Sequence, residues 1–236
     1  MATKDYAEGY TELYGEEWVK LSDETTEKEL KDFYVEWSKT YDTDLNKAQA
    51  QYHRLQTKLF DAKIKEVFKD KPKDEIKIVD AGAGTGMIAA ELKKLGYTNL
   101  AALDISPEML KKAEKKNLYK KFVCAALNDK PIPEIETGEF DALICCGSLA
   151  IAHIESDSFV EMVRMVKPGG VIHFNIRPGD CEHKFSSGNP TYEDMIQKLE
   201  DAGKWEKLVY KEVVEHYARD DMPPISFMFE FKVLKN

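Results

Sequence analysis

IKIVDAGAGTGMIAAEL, residues 76–92, is the stretch on which the fold turns. Ile76–Asp80 is a short apolar run with β-branched residues, the pattern of a buried strand. Gly82-Ala83-Gly84-Thr85-Gly86 follows it directly, and Ile88–Leu95 then reads as a helix stopped by Gly96. Three glycines at alternate positions exceed what a tight turn requires. Without Cβ atoms the backbone turns sharply and leaves room for a ligand to lie against it.

Outward from this unit the pattern repeats. Asn99–Asp104 is a second strand, and Ser106-Pro107-Glu108 opens a helix with a capping hydroxyl and a proline in the first turn. Lys121–Ala125 is a short third strand. Phe140–Cys146 is a fourth, nearly all apolar, as a central parallel strand covered on both faces should be. Asp157–Val166 is a helix ending in Lys167-Pro168-Gly169-Gly170, and Val171–Ile176 is a fifth strand. This alternation predicts a doubly wound α/β sheet. After the helix Tyr192–Ala202, Trp205–Tyr217 and Ile225–Leu234 are extended runs joined through Pro223-Pro224 without a helix, which predicts an antiparallel hairpin at the sheet edge. The expected sheet thus has seven strands, mostly parallel.

Ahead of the sheet, Leu45, Ala48, Tyr52, Leu55, Leu59 and Ala62 recur at helical spacing, and Val67 and Phe68 extend the face toward the Lys71-Pro72 break. One long amphipathic helix is expected there. Residues 1–30 are polar and acidic, yet they carry Tyr6, Tyr10, Tyr14 and Trp18, so part of this stretch is expected to dock on the body. The expected organisation is one domain over 1–236, with cap helices in 1–70 and the α/β core in 75–236.

The chain has 236 residues, with 34 Lys+Arg against 43 Asp+Glu and a net charge of −9. That balance disfavours nucleic acid as a partner, since phosphate neutralisation needs a basic surplus on some face. No membrane span is expected: the longest uncharged apolar run, Ala142–Ala152, is about half the ~20 residues a spanning helix needs. The opening MATKDYAEGY has no apolar segment of the signal-peptide kind. Cys124, Cys145, Cys146 and Cys181 show no zinc-binding spacing and read as reduced, buried thiols of a cytoplasmic protein.

The glycine spacing is GxGxG. A dinucleotide fingerprint would place its third glycine where Met87 stands, and the Gly-Lys-Ser/Thr of a phosphate loop is missing. The loop therefore suits a ligand without phosphates. Asp104 ends the second strand, 18 residues beyond Gly86, where a carboxylate can accept hydrogen bonds from both ribose hydroxyls. An adenosine derivative with a free ribose and no phosphate is expected, and S-adenosylmethionine fits.

IVDAGAGTGMIAAEL (78–92), LAALDISPEMLKKA (100–113), FDALICCGSL (140–149) and VKPGGVIHFNIR (166–177) together resemble the class I S-adenosylmethionine-dependent methyltransferases, in the family's order and spacing. DFYVEWSKTYDTDL (32–45) and TYEDMIQKLEDAGKWEKL (191–208) look like the methyltransferase-like protein 27 group. The resemblance implies a Rossmann-like methyltransferase fold with an N-terminal helical cap and a small-molecule methyl acceptor. By the same resemblance Asp80, Gly82, Ala83, Gly84 and Gly86 hold the methionine part of the cofactor, Asp104 the ribose and Ile105 a face of the adenine. Ala126 stands where an acidic residue is common, so backbone atoms near Ala126–Leu127 or the Asn128 side chain are expected to serve the adenine amino group. Cys146 and Gly147 would border the transferred methyl. Tyr34, Trp37 and Tyr41 match a cap that covers the cofactor.

Methyl transfer from a sulfonium is an in-line displacement with a good leaving group, so alignment and desolvation matter most, with a base where one is needed. His153 is the candidate base, and Tyr34, Trp37, Asn175 and Arg177 are candidate acceptor contacts, Arg177 for an anionic group. His173, in mid-strand, reads as structural. Residues 178–190 are rich in Gly, Pro and Ser and are expected to form a lid. The competing readings are a cofactor-binding regulator without turnover, a protein or RNA methyltransferase, and, further off, a nicotinamide dehydrogenase.

Overall fold

The computed structural model describes residues 21–22, 24–47, 51–214 and 225–236. Within them the strands β1 (Ile78–Ala81), β2 (Leu100–Asp104), β3 (Lys121–Cys124), β4 (Phe140–Leu149), β5 (Val166–Ile176), β6 (Trp205–Val214) and β7 (Ile225–Val233) form one sheet of order β3-β2-β1-β4-β5-β7-β6. The pairings from β3 across to β5 are parallel, and β7 runs antiparallel to both β5 and β6. The chain reverses its direction of travel across the sheet at β1, which has β2 on one side and β4 on the other. That switch point leaves a crevice at the carboxyl ends of the strands.

The helices are α1 (Glu27–Trp37), α2 (Tyr41–Lys47), α3 (Tyr52–Val67), α4 (Met87–Lys94), α5 (Pro107–Glu114), α6 (Ser158–Met165), α7 (Pro178–Cys181) and α8 (Tyr192–Asp201). Strand alternation sorts the core into two layers. Ile78, Ala142, Ile144 and Cys146 face Phe60 and Ile64 of α3 and Ile88 and Leu92 of α4. Val79, Leu143 and Cys145 face the opposite layer, which includes Phe159 of α6 and Ile196 of α8. Local chemistry sets several helix starts: Ser106 Oγ accepts from Met109 N–H with Pro107 in the first turn, and Thr26 and Glu29 close a capping box ahead of α1.

Two expectations need correction. The long helix from Leu45 is broken: Leu45 belongs to α2, Gln51 has a non-helical backbone (φ −116°, ψ 3°), and α3 begins at Tyr52. Side-chain periodicity reports which positions are buried, and an interruption of the helical backbone at Gln51 leaves it nearly intact. Cys124 is exposed, at the end of edge strand β3; Cys145, Cys146 and Cys181 are buried, and all four thiols are free. Ala48, the aromatics Tyr6, Tyr10, Tyr14 and Trp18, and the turn at Pro223-Pro224 lie outside the described residues.

His173 has the structural place its sequence position suggests. Its Nδ1 lies 3.1 Å from Glu230 Oε1 on β7, its Nε2 lies 3.0 Å from Gln56 Oε1 on α3, and Gln56 Nε2 donates to Ser226 Oγ at 3.2 Å. This buried polar network fastens α3 across β5 and β7, each polar atom meeting a partner where water is excluded.

Candidate functional site

A cleft opens at the carboxyl ends of β1, β2 and β4. Its floor is the loop 82–86, in which Gly82, Gly84 and Gly86 take φ of +71°, +53° and +86°, the left-handed region where a Cβ is penalised. Asp104 anchors this floor: Oδ2 accepts the Gly84 N–H and Oδ1 the Ser106 N–H, both at 2.8 Å. The carboxylate thereby joins the glycine loop to the start of α5 and keeps further lone pairs for a ligand. On one side of Asp104 a cavity is lined by Ile105, Ala126, Leu127, Leu30 and His153. On the other side lie Ala83, Cys146, Gly147, Tyr41 and Tyr52. Tyr34, Gly82, Asp104 and Ser148 belong to both, so the two halves are one continuous cleft.

Aromatic side chains from α1 to α3 roof it. Tyr34 packs edge-on against His153 (centroids 5.8 Å) and stacks on Trp37 (5.9 Å), which in turn meets Tyr41 edge-on at 4.6 Å. Tyr41 is hydrogen-bonded to Tyr52. Burial pushes the Tyr34 phenol well up and that of Tyr41 to about 12, so both stay protonated and the roof is uncharged. A latch joins roof to floor: Asp42 on α2 accepts from Thr85 Oγ1 at 2.5 Å and from Lys116 Nζ at 2.7 Å.

Asp80 lies beneath the loop instead of lining the cleft. It is 2% exposed, and its Oδ2 accepts from the Tyr119 hydroxyl at 2.6 Å. Burial pushes its carboxyl up to about 7; the Tyr119 hydrogen bond opposes this, and the negative charge of Asp104 adds to it. Asp104 is also raised by burial, against the pull of the backbone N–H groups it accepts.

His153 follows Ala152, whose φ is +68°, and its Nδ1 sits 2.9 Å from the Ile151 carbonyl, a partner that requires the proton on Nδ1. Burial pushes its pKa down to about 4, and the nearby positive charge of Arg177 acts in the same direction. The ring is therefore neutral at physiological pH. Because its folded-state pKa lies below the unfolded value of about 6.5, the unfolded chain binds more protons between those limits, and stability falls as the pH drops from 6.5 to 4. Asp61 and Asp141, both held low by lysine partners, add acid sensitivity of the same sign. His153→Gln is expected to flatten part of this loss in melting temperatures taken across pH 4–7; an unchanged slope would contradict the buried neutral imidazole.

The remaining candidates stand behind this surface. Asn175 Oδ1 accepts the Gly147 N–H at 2.9 Å and so fixes the end of β4. Arg177 Nε donates to Asp180 Oδ2 at 2.8 Å, and its charge is felt by Tyr34 and His153. Trp37 packs the roof from behind. The segment 178–190 contains α7 and is tied to the wall after β4: Ser187 Oγ and Asn189 Nδ2 donate to Glu155 Oε2 at 2.6 and 2.7 Å, and Ser156 Oγ donates to the Pro190 carbonyl at 2.6 Å. Among the expected residues, Gly82, Ala83, Gly84, Asp104, Ile105, Ala126, Leu127, Cys146, Tyr34, Tyr41 and His153 come together on the cleft. Gly86 turns away from it, toward the Tyr119 ring. Ser148, Tyr52, Thr85 and Leu30 also face the cleft. Ser148 and Thr85 lie inside stretches legible in the sequence, the fourth-strand motif and the glycine loop. Tyr52 and Leu30 gain their place from the packing of the cap.

A family model described as "Methyltransferase domain" matches residues 79–174. Methyltransferase-like protein 27 of Homo sapiens is 30% identical over 177 residues, 75% of this chain and 68% of that protein. Malonyl-(acyl-carrier protein) O-methyltransferase of Buchnera aphidicola subsp. Baizongia pistaciae (strain Bp) is 29% identical over 123 residues, 52% of this chain and 48% of that protein. Among solved structures, an S-adenosylmethionine-dependent methyltransferase from Clostridium acetobutylicum ATCC 824 superposes with a TM-score of 0.59 at 18% identity, covering 86% of this chain and 99% of that one. That likeness is one of fold.

Proposed function

The chain belongs to the S-adenosylmethionine-dependent methyltransferases, in the family of methyltransferase-like protein 27, and on that premise we propose that it methylates a small-molecule acceptor bound between the cleft and its aromatic roof. The observation that carries this reading is the Asp104 carboxylate, anchored to Gly84 and Ser106 and opening onto a glycine floor that lacks a phosphate-loop spacing. The floor fits the cofactor: Gly84 has nothing within 4 Å of where a Cβ would stand, so a ligand can lie on the bare backbone.

In this reading Gly82, Ala83 and Gly84 receive the methionine part, Asp104 accepts from the ribose hydroxyls, and Ile105, Ala126 and Leu127 enclose the adenine. When bound, the cofactor supplies a methyl group on a positively charged sulfur. Cys146, Gly147 and Ser148 border the place of transfer, with Asn175 holding Gly147 in position. Tyr34, Tyr41 and Tyr52 exclude water and align the acceptor, the main demands of an in-line displacement. His153, neutral with its Nδ1 proton committed to Ile151, presents Nε2 as a proton acceptor for acceptors that must lose a proton.

The acceptor in this reading carries an anionic group drawn by the positive charge of Arg177, which stands behind the cleft surface on Asp180 and acts on Tyr34 and His153. The protein works in a reducing compartment such as the cytoplasm, a reading supported by its four free thiols. Methyl transfer from labelled S-adenosylmethionine to panels of anionic, neutral and cationic metabolites tests the proposal. Transfer confined to anionic acceptors is expected, with Arg177→Ala raising the acceptor KM about 5-fold, the scale of a lost through-space charge interaction of about 1 kcal/mol. Cofactor binding without transfer to any small molecule would favour the regulatory reading.

A further inference from the structure

KKAEKKNLYKK (111–121) runs from the last turn of α5 to the first residue of β3 and holds six lysines against one acidic residue, Glu114, in a chain of net charge −9. Three of the lysines are committed: Lys111 to Glu108 at 2.5 Å, Lys116 to Asp42 at 2.7 Å and Lys121 to Glu139 at 2.7 Å. Lys112, Lys115 and Lys120 have no ion-pair partner among the described residues, and Lys115 and Lys120 are exposed. β3 is the outermost strand of the sheet. Its Val123 faces the core with Leu143, so Phe122 points the other way, where it is 37% exposed; no other phenylalanine of the described residues is as open. The Phe122 ring is held edge-on against Tyr119 at 5.5 Å, and the Tyr119 hydroxyl is fixed on Asp80.

The needs of the fold account for only part of this. The C-terminal end of a helix dipole favours cations, which explains Lys112 and Lys115 at the end of α5. It explains neither Lys120, beyond the helix, nor an open aromatic ring two residues further on. We propose that Lys112, Lys115 and Lys120, with Phe122 as an apolar anchor, form a docking surface for an acidic protein partner. Protein interfaces are commonly built this way, with an aromatic anchor inside a polar rim. The surface lies outside the methyl-transfer cleft, and the proposal stands without the functional reading above.

Charge decides which kind of partner fits. Three uncommitted lysines neutralise few phosphates, so a nucleic acid gains little here. Carboxylates also close off one side of the surface. Lys121 Nζ donates to the Glu134 carbonyl and pairs with Glu139, which in turn accepts the Glu136 N–H, so three acidic residues gather at the start of β3. They would repel a phosphate polymer running on past the strand, whereas the acidic patch of a folded protein can end where the lysines end. Lys116 ties the same connection through Asp42 to Thr85 of the glycine loop, so a partner docked here stands beside the cap.

The test uses the full chain and three labelled probes of equal length at low salt: a peptide of glutamates around one central leucine, the same peptide with a central alanine, and an oligouridylate. Fluorescence anisotropy reads affinity, and amide shifts of the isotopically labelled protein read the place of binding. The leucine peptide is expected to bind with shifts in residues 111–124, about 3-fold more tightly than the alanine peptide and at least 5-fold more tightly than the oligouridylate. The triple variant Lys112→Gln, Lys115→Gln, Lys120→Gln should weaken the peptide about 10-fold, the scale of three lost exposed charge pairs. Phe122→Ser should abolish the preference for leucine, with both variants keeping the wild-type circular dichroism. Oligouridylate binding as tightly as the peptide would assign the surface to nucleic acid and overturn the inference. So would a dimer in sedimentation that the triple variant dissolves, since the occupant would then be a second copy. Peptide affinity unchanged in the triple variant, shifts confined to other residues, or no peptide binding up to about 1 mM would overturn it as well.

Discussion

Asp104→Ala is expected to weaken S-adenosylmethionine binding by at least 100-fold, and S-adenosylhomocysteine binding comparably. Two effects act together. The ribose loses two charge-assisted hydrogen bonds of about 1.5–3 kcal/mol each, which alone is roughly 10²–10⁴-fold in affinity. The floor also loses its brace, since Asp104 is the acceptor for both Gly84 N–H and Ser106 N–H. Stability should move little by comparison, because the substitution also removes a carboxylate whose burial is costly. Asp104→Asn separates the contributions: its amide keeps one acceptor oxygen where the carboxylate had two, so an intermediate loss of about 10-fold is expected. Calorimetry on the three proteins decides it. A dissociation constant for Asp104→Ala within threefold of wild type would remove the ribose assignment.

Gly82→Ala is expected to damage both folding and binding, and Gly84→Ala mainly binding. Both glycines have left-handed φ, so each alanine carries a backbone cost of about 1 kcal/mol. They differ in what the new methyl meets. At Gly82 a Cβ would stand 2.6 Å from Ser148 Cβ and closer still to Ser148 Oγ, while at Gly84 nothing lies within 4 Å. Separations that far inside van der Waals contact force the end of β4 away from the loop, a cost of about 1–3 kcal/mol beyond the backbone term. For a chain of this size each kcal/mol lowers the melting temperature by about 2–4 °C. Gly82→Ala should therefore melt roughly 5–15 °C below wild type, with cofactor binding lost beyond 100-fold, and Gly84→Ala only a few degrees below. Ser148→Gly, which removes the obstructing atoms, should restore much of the stability of Gly82→Ala. Thermal denaturation of the two single variants and the double variant tests this, and equal melting temperatures for Gly82→Ala and Gly84→Ala would contradict the steric account.

The elements differ in how far they are visible from the chain itself. β1, the glycine loop and α4 are legible because a buried strand, a left-handed turn and a helix start each impose their own residue types within a few positions. The hairpin is legible because two extended runs have no helix between them, and the antiparallel pairing of β7 with β5 and β6 bears this out. The split between α2 and α3 is not legible, since the apolar repeat from Leu45 onward continues across it. Nor is the contact between Asp80 and Tyr119, 39 residues apart, because nothing near Tyr119 marks it as more than a core aromatic.

By itself the sequence determined the layout of the doubly wound sheet, the phosphate-free character of the glycine loop and the carboxylate that faces it, because each is a property of adjacent residues and their backbone preferences. The tertiary structure alone decided that Asp80 lies under the loop on Tyr119, that Asp42 latches the cap to Thr85, that His153 is neutral, and that Ser148 explains the need for glycine at 82. Those are matters of burial and of distance between remote segments. Burial sets the desolvation that shifts a titrating group, and only packing brings remote side chains within hydrogen-bond reach.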